Sequence, residues 1–165
     1  SLEAMVRAGV DADEVNAATV RFRGYRWVRQ FREFASLVDP RPDSIAESIT
    51  RLRWIRTTLP FPEPQRPVTG PHGEPWALDM GVDALYFAVE YDGEEFHDDA
   101  RKEHDEKRRT WIQKNTPWMV RVVTKENVFG QAQDFDLLLP GWIREARRTL
   151  AERLVRGRWY AEIGD

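Results

Sequence analysis

The sequence predicts an α/β sandwich, a central mixed sheet of four or more strands flanked by helices, on three observations. Ala84-Leu85-Tyr86-Phe87-Ala88-Val89 and Trp118-Met119-Val120-Arg121-Val122-Val123 are apolar, β-prone runs that read as buried strands. Between them, Glu95 to about Asn115 has helical character, and a helical crossover returning to one sheet makes its two strands parallel. Ahead of them, Gln65–Thr69 and Pro75–Met80 flank the turn Pro71-His72-Gly73-Glu74 and read as an antiparallel hairpin.

The remaining elements follow in order. Residues 1–20 read as a short helical region with a turn near Gly9 to Asp11, and Phe22 to Leu37 as a basic, aromatic helix. Asp39-Pro40-Arg41-Pro42 breaks that helix, which divides the chain into a helical connecting segment, 1–42, and a main domain, 43–165. Asp43 or Ser44 caps the next helix, whose Ile45, Ile49, Leu52, Ile55 and Leu59 form an apolar stripe. The prolines from Pro60 onward then force an extended approach to the hairpin. A second turn at Gly81–Asp83 leads into a strand over 84–91. On the helix after it, Phe96, Ala100, His104, Lys107 and Trp111 share one side. Pro140-Gly141 opens a final helix with Ile143, Ala146, Leu150 and Leu154 facing inward and arginines outward.

At 165 residues and 41% hydrophobic content the chain can bury one core. It has no cysteine, which excludes disulfides, zinc-thiolate sites and thiol nucleophiles. No apolar run approaches the roughly 20 residues needed to cross a bilayer, so a cytoplasmic protein without membrane association is expected. The net charge of −3 hides a segregation. Arg21, Arg23, Arg26, Arg29 and Arg32 crowd one segment and Arg144, Arg147, Arg148, Arg153, Arg156 and Arg158 another, while acids pile up between Glu90 and Glu106. Basic flanks around an acidic centre suit a phosphate-rich ligand gripped around a metal site; each arginine taken alone reads as part of a solvated helix face.

Asp79 and Glu90 bracket the apolar strand, and an acid directly after Phe87-Ala88-Val89 is costly to bury unless paired or metal-bound. The two lie too far apart in sequence to oppose one another across a tight hairpin, so a bend at Gly81 or a bulge is needed to bring them together. Two carboxylates, a backbone carbonyl and water are what a hard divalent cation takes. Such an ion polarises a phosphoryl oxygen and yields hydroxide near neutral pH. Glu47, on the helix ahead of the sheet, is placed to orient a water of the outer shell. Each of these acids also has a plain structural reading: Asp79 as a strand end, Glu47 as an i,i+4 partner of Arg51, Asp92 as a turn residue before Gly93.

Glu47–Arg53 (ES-x-x-x-RLR), Pro60–Val68 (PFPEPQRPV), Leu78–Gly81 (LDMG), Val89–His97 (VEYDGEEFH), Asp105–Arg108 (D-x-x-R) and Trp118–Val123 (W-x-VRVV) occur in that order. The series resembles DUF559 domains, which are similar to the very-short-patch-repair endonucleases of the PD-(D/E)xK superfamily, and the resemblance covers about residues 44–125. It implies a restriction-endonuclease-like fold, with Asp79 and Glu90 as the acids that hold Mg2+ or Mn2+ and the Tyr91 carbonyl as a further ligand. By the same resemblance Glu47 is the helix acid of the first motif, His97 an acid or base on phosphate oxygens, Asp105 and Arg108 part of a helix near the site, and Gln65 a polar neighbour. A winged helix upstream of Ser1 is the expected missing partner of residues 1–43. In one respect the chain departs from the superfamily, whose third motif ends in Lys: here Asp92 takes that place, leaving His97, Lys102 or Lys107 as substitutes. Thr116-Pro117-Trp118 also stands where the family commonly has Gly-Trp.

The function expected on this basis is a metal-dependent DNA endonuclease, in repair or defence, with Arg23, Arg26, Arg29, Arg108, Arg147 and Arg148 touching nucleic-acid phosphates. DNA is the expected partner, and a homodimer is allowed. The alternative, motivated by the absent Lys, is a non-catalytic DNA-binding or regulatory module that keeps the nuclease fold.

Overall fold

The structure, a computed structural model, describes residues 11, 14, 17, 19–22, 24–25, 39, 41–93 and 99–163. Its centre is an open four-stranded mixed sheet in the order β1-β2-β3-β4, with β1 Glu63–Thr69, β2 Pro75–Val82, β3 Phe87–Asp92 and β4 Met119–Thr124. β1–β2 and β2–β3 are antiparallel; β3–β4 is parallel, joined by helix α2 (Asp99–Asn115). Helix α1 (Ile45–Ile55) precedes the sheet, and a short α3 (Lys125–Val128) and a long α4 (Phe135–Ile163) follow it. The α/β class, the hairpin and the parallel crossover are those predicted. Among the described residues no helix is long and apolar enough to cross a membrane.

The sheet carries a core on each face. On one, Trp54 of α1 and Phe135, Leu139, Ile143 and Ala146 of α4 pack on Met80, Val82, Phe87, Val89 and Val123. On the other, Ile112 of α2 packs with Val68, Leu78, Ala88, Trp118 and Val120. Burying each large side chain contributes roughly 1.5–3 kcal/mol, so these two clusters hold the layers together. Arg53 ties the first face at its rim. Its guanidinium donates to the carbonyls of Val128 (2.6 Å) and Gln133 (3.0 Å) and pairs with Asp136 (2.9 Å), joining α1 to the start of α4.

Several elements depart from the sequence pattern. The face α1 buries is Glu47, Ser48, Thr50, Arg51 and Trp54, and Ile45 of the expected stripe is 59% exposed. Two polar members of that face bond their own helix, Thr50 Oγ1 donating to Ala46 O (2.7 Å) and Ser48 Oγ to Ser44 O (3.1 Å), while Trp54 supplies the fully buried apolar contact, with Ile49 packed against the same core. The turn between β2 and β3 is longer and later than Gly81–Asp83. β2 runs on to Val82, Asp83–Leu85 forms a 3-10 turn, and Tyr86 closes it at φ 47°, so β3 begins at Phe87. On α2, His104 and Lys107 of the expected side are exposed, while Trp111 packs against the core; Asp105, Arg108, Arg109 and Ile112 are the other inward positions. Pro140 lies inside α4 rather than opening it, because Asp134 O already accepts from Leu137 and Leu138 N–H at the helix start. Leu154 is 61% exposed, since the core on that face ends at Ala146. Helix α3, which sequence patterning missed, is a single turn held by a capping box between Thr124 and Asn127. In the N-terminal segment Thr19–Phe22 is a 3-10 turn and Gly24 has φ 95°, so no helix starts at Phe22; the rest of the helix expected to Leu37 lies outside the described residues.

Gly81 in the LDMG stretch has a steric reason. A Cβ there would meet Phe87 O at 2.8 Å and the Trp118 ring at 2.9 Å. Gly81→Ala therefore forces β2 and β3 apart, and we expect a loss of about 2 kcal/mol. Urea unfolding checks this as a lower midpoint at unchanged slope.

Candidate active site

The β2–β3 ladder determines where the acids stand. Its paired residues are Met80↔Val89, Gly81↔Ala88 and Val82↔Phe87, and one step further along the same register Asp79 stands across from Glu90. The expected mismatch between them does not arise, because the loop is Asp83–Tyr86 rather than a tight turn. No backbone pair forms at that step. Instead the Tyr91 N–H donates to Asp79 Oδ2 at 2.7 Å, so a side chain takes the place of a strand carbonyl.

The chain is kinked at this level. Along β2, Leu78 joins the core on the α2 face, whereas Met80 and Val82 join the core on the α1 and α4 face, so the alternation of faces breaks at Asp79. On β1, Gln65 has φ 51° and is missing from the register between Pro64↔Met80 and Arg66↔Leu78. The kink frees Asp79 from the pleat and opens the β1 strand beside it.

Glu47 reaches this place from α1. Ser44 caps the helix by accepting from Glu47 N–H at 3.1 Å, and Glu47 Oε2 in turn accepts from Asp43 N–H at 2.9 Å. The same oxygen accepts from Gln65 Nε2 at 3.3 Å, which links α1 to the kink in β1. Arg51, the helix partner expected for Glu47, is turned to Asp39 at 3.7 Å.

Charge is unevenly balanced across the cluster. Burial, then the negative charges of Glu47 and Glu90, push the Asp79 carboxyl up to about 7, against the opposing pull of the Tyr91 N–H and Arg108. Glu90, only 3% exposed, is also raised by burial, with Arg108 and Arg109 pulling it back. Arg108 bridges two strands: Nη1 donates to Ala77 O at 3.0 Å, and Nη2 pairs with Glu90 Oε1. Arg109 lies 3.8 Å from Glu90 Oε2 and 3.7 Å from Asp92. Val122, the β4 neighbour of Glu90 in the parallel register, is 37% exposed, so the α2 face of the sheet is open beside the acid.

The register thus sets Asp79 across from Glu90, the Tyr91 N–H binds Asp79, and Glu47, bonded to Gln65, stands near enough for its charge to act on Asp79. His97 lies outside the described residues, as do Arg23, Arg26 and Arg29. Arg147 and Arg148 are exposed on α4, and Arg148 lies 3.9 Å from Glu152. Arg108 is not a solvated cation; its guanidinium is engaged with Glu90 and Ala77. Of the substitutes considered for the absent Lys, Lys107 is exposed and paired with Glu103 at 2.6 Å, away from Glu90. Arg109 was missed. Its signal is present in the sequence, since Ile112 must face the sheet and Arg108 and Arg109 lie four and three residues before it on the same side of the helix.

The donor set consists of hard oxygens, which suits magnesium or manganese. Among the described residues no group of three or more His, Asp or Glu side chains is gathered to hold a metal. Two carboxylates and a peptide carbonyl agree with a cation that keeps several waters.

No family model matches the chain. Two proteins of Mycobacterium tuberculosis, one from strain CDC 1551 / Oshkosh and one from strain ATCC 25618 / H37Rv, each described as uncharacterized, are 37% identical to it over 84 residues. The match takes in 51% of this chain and 31% of each relative, so the chain spans about a third of their length. No solved structure matches.

Asp79 gives a pH signature with a definite sign. Its carboxyl binds a proton more tightly folded (about 7) than unfolded (3.8), so its contribution to stability is fully present below about 4 and is lost as pH rises to 7. Asp79→Asn removes that loss while keeping an acceptor for the Tyr91 N–H. We expect the variant to be more stable than wild type by about 2 kcal/mol at pH 8, allowing for residual solvent contact, with the gap closing by pH 4. Denaturant titrations across that range, in metal-free buffer, check it.

Proposed function

We propose that the chain is a nuclease domain of restriction-endonuclease-like fold that hydrolyses DNA phosphodiesters with a divalent ion held at Asp79 and Glu90. The observation that carries this reading is the register that sets Asp79 across from Glu90 at the end of the β2–β3 ladder, with the Tyr91 N–H on Asp79 Oδ2; burial, then the charges of Glu47 and Glu90, raise the Asp79 carboxyl to about 7. Such an excess of negative charge is what a divalent ion would relieve, and perturbed carboxylates clustered in this way favour a functional site over a structural one. The ordered motifs resembling the DUF559 and very-short-patch-repair group point the same way.

Magnesium or manganese would be held by Asp79, Glu90 and the Tyr91 carbonyl, and when bound it polarises the phosphoryl oxygen and activates water. In the reaction, water attacks phosphorus, the P–O bond to the leaving nucleoside breaks, and the departing oxygen takes a proton. Glu47, held by Gln65 and the Asp43 N–H, orients water at the acid cluster. His97, on the segment between β3 and α2, is the proposed proton donor to phosphate oxygens. The Tyr91 N–H keeps the Asp79 carboxylate from rotating away. Arg147 and Arg148 on α4 bind DNA phosphates without reading sequence.

One observation favours the second reading. Arg108 and Arg109 already neutralise Glu90, as they would in a DNA-binding module that has given up catalysis. The two readings separate in one assay. Incubated with linear, supercoiled and single-stranded DNA and manganese, the wild-type protein should cleave at least one form, and Asp79→Asn and Glu90→Gln should each lose about a hundredfold or more. Equal rates in the variants overturn the catalytic reading. DNA binding that weakens with salt, without cleavage or divalent binding, establishes the regulatory one.

A further inference from the structure

We propose that Arg108 and the divalent ion compete for the Glu90 carboxylate, so that Arg108 is released to a DNA phosphate only when the ion takes Glu90 over. This inference rests on the nuclease reading above. It makes Arg108 a positioning residue that couples metal loading to substrate binding.

The geometry behind it is local and specific. Ile112, fully buried against the sheet, sets the rotation of α2 and so places Arg108 above the end of the β2–β3 ladder. There the guanidinium donates to Ala77 O (3.0 Å) on β2 and pairs with Glu90 Oε1 on β3. It therefore spans the two strands next to the step at which their backbone pairing is replaced by Asp79. Arg109 approaches the other oxygen, Oε2, only to 3.8 Å, beyond hydrogen-bond length. Of the two arginines, Arg108 is the one that holds the carboxylate.

Glu90 already faces two guanidinium groups, Arg108 at Oε1 and Arg109 at 3.8 Å from Oε2, so its negative charge is largely balanced before any ion arrives. Its side chain is 5% exposed, so it cannot turn to bulk water to meet an ion without giving up the Arg108 contact. A second positive charge brought to the same group is repelled by the first, strongly so in a site of low effective dielectric. Arg108 itself retains contact with solvent, at 18% exposure, and faces the side of the sheet on which Val122 is open. A phosphate arriving there offers oxygens suited to the guanidinium fork. Exchange of partners, Glu90 for phosphate on the arginine and arginine for the ion on Glu90, leaves every charge paired. Because coupling of this kind is reciprocal, DNA strengthens metal binding and metal strengthens DNA binding.

Two measurements test it at fixed pH. Manganese is titrated calorimetrically into wild type, Arg108→Met and Asp79→Asn without DNA. We expect Arg108→Met to bind manganese about tenfold more tightly than wild type, and Asp79→Asn to abolish that binding. In EDTA, where no hydrolysis occurs, affinity for a short duplex is read by fluorescence anisotropy. Glu90→Gln frees the guanidinium and should tighten DNA binding about fivefold, a gain that disappears in Glu90→Gln/Arg108→Met. Unchanged or weaker manganese binding in Arg108→Met, with Asp79-dependent binding intact in wild type, overturns the competition and leaves the nuclease reading standing. No manganese binding in either protein overturns both. Should Arg108→Met fail to fold, Arg108→Lys replaces it. Its point charge cannot span Ala77 O and Glu90 together, so manganese affinity should rise by a smaller factor, and no rise overturns the proposal.

Discussion

The hydrogen bond from the Tyr91 N–H to the Asp79 carboxylate is the contact on which the rest of the site depends. It stands where the antiparallel ladder of β2 and β3 would have made its next backbone pair beyond Met80↔Val89. A strand carbonyl there would satisfy the same donor and close the sheet. A carboxylate satisfies the donor while leaving a second, charged oxygen for other chemistry. The price is burial of an acid near two others, which the raised proton affinity of Asp79 records. The kink at Gln65, with its left-handed φ of 51°, belongs to the same arrangement, since a regular β1 strand would pair through that position. Backbone departures of this kind cost of order 1–3 kcal/mol and persist where the surroundings over-determine them.

Much of this was legible in the sequence, but unevenly. The order of strands and helices followed from the β-branched runs and the proline-bounded hairpin, because those signals are local. The parallel pairing of β3 with β4 followed from the length of the crossover. What did not follow was register. Whether Asp79 opposes Glu90 depends on how many residues the connecting loop consumes, and Leu85 and Tyr86 read as strand residues although Tyr86 closes the turn at φ 47°. A one-residue difference in such a loop moves side chains to the opposite face, so the central geometric question was beyond reach of pattern alone. The buried face expected on α1 held only in part, since Ile49 and Leu59 pack against the core while Ile45 is exposed. Ile45, Ile49, Leu52 and Ile55 make the better stripe, but Trp54 supplies more apolar surface from one position, and Thr50 and Ser48 bond their own backbone, so a polar-looking face goes inward. Glu47 lies on that face, which is why it reaches the acids at all.

The arginines divide by what surrounds them rather than by their spacing. Arg53 is consumed in structure, with two carbonyls and Asp136 fixing α1 against α4. Arg108 and Arg109 are consumed by the acids of β3. Arg147 and Arg148 stay in solvent. Net charge says little here, since a chain at −3 buries Glu47 and Glu90 while Arg147 and Arg148 are exposed.

If the proposed resemblance holds, Asp92 standing where the PD-(D/E)xK pattern has Lys takes on a physical meaning in this setting. A lysine at that position would extend from β3 and offer a point charge to whatever oxygen lay nearest. Here the positive charge comes instead from α2, as two guanidinium groups that hold Glu90 and Asp92 from outside the sheet. An arginine cannot be deprotonated near neutral pH, so it cannot serve as the base that a lysine can become when buried. It can bind a phosphate through two parallel hydrogen bonds, which a lysine cannot. On the proposed nuclease reading the exchange would move the cationic role from activating water toward gripping substrate. That shift would leave proton handling to groups other than the arginines, His97 in the first place, while Asp79, raised by burial in the metal-free chain, would serve as an ion ligand.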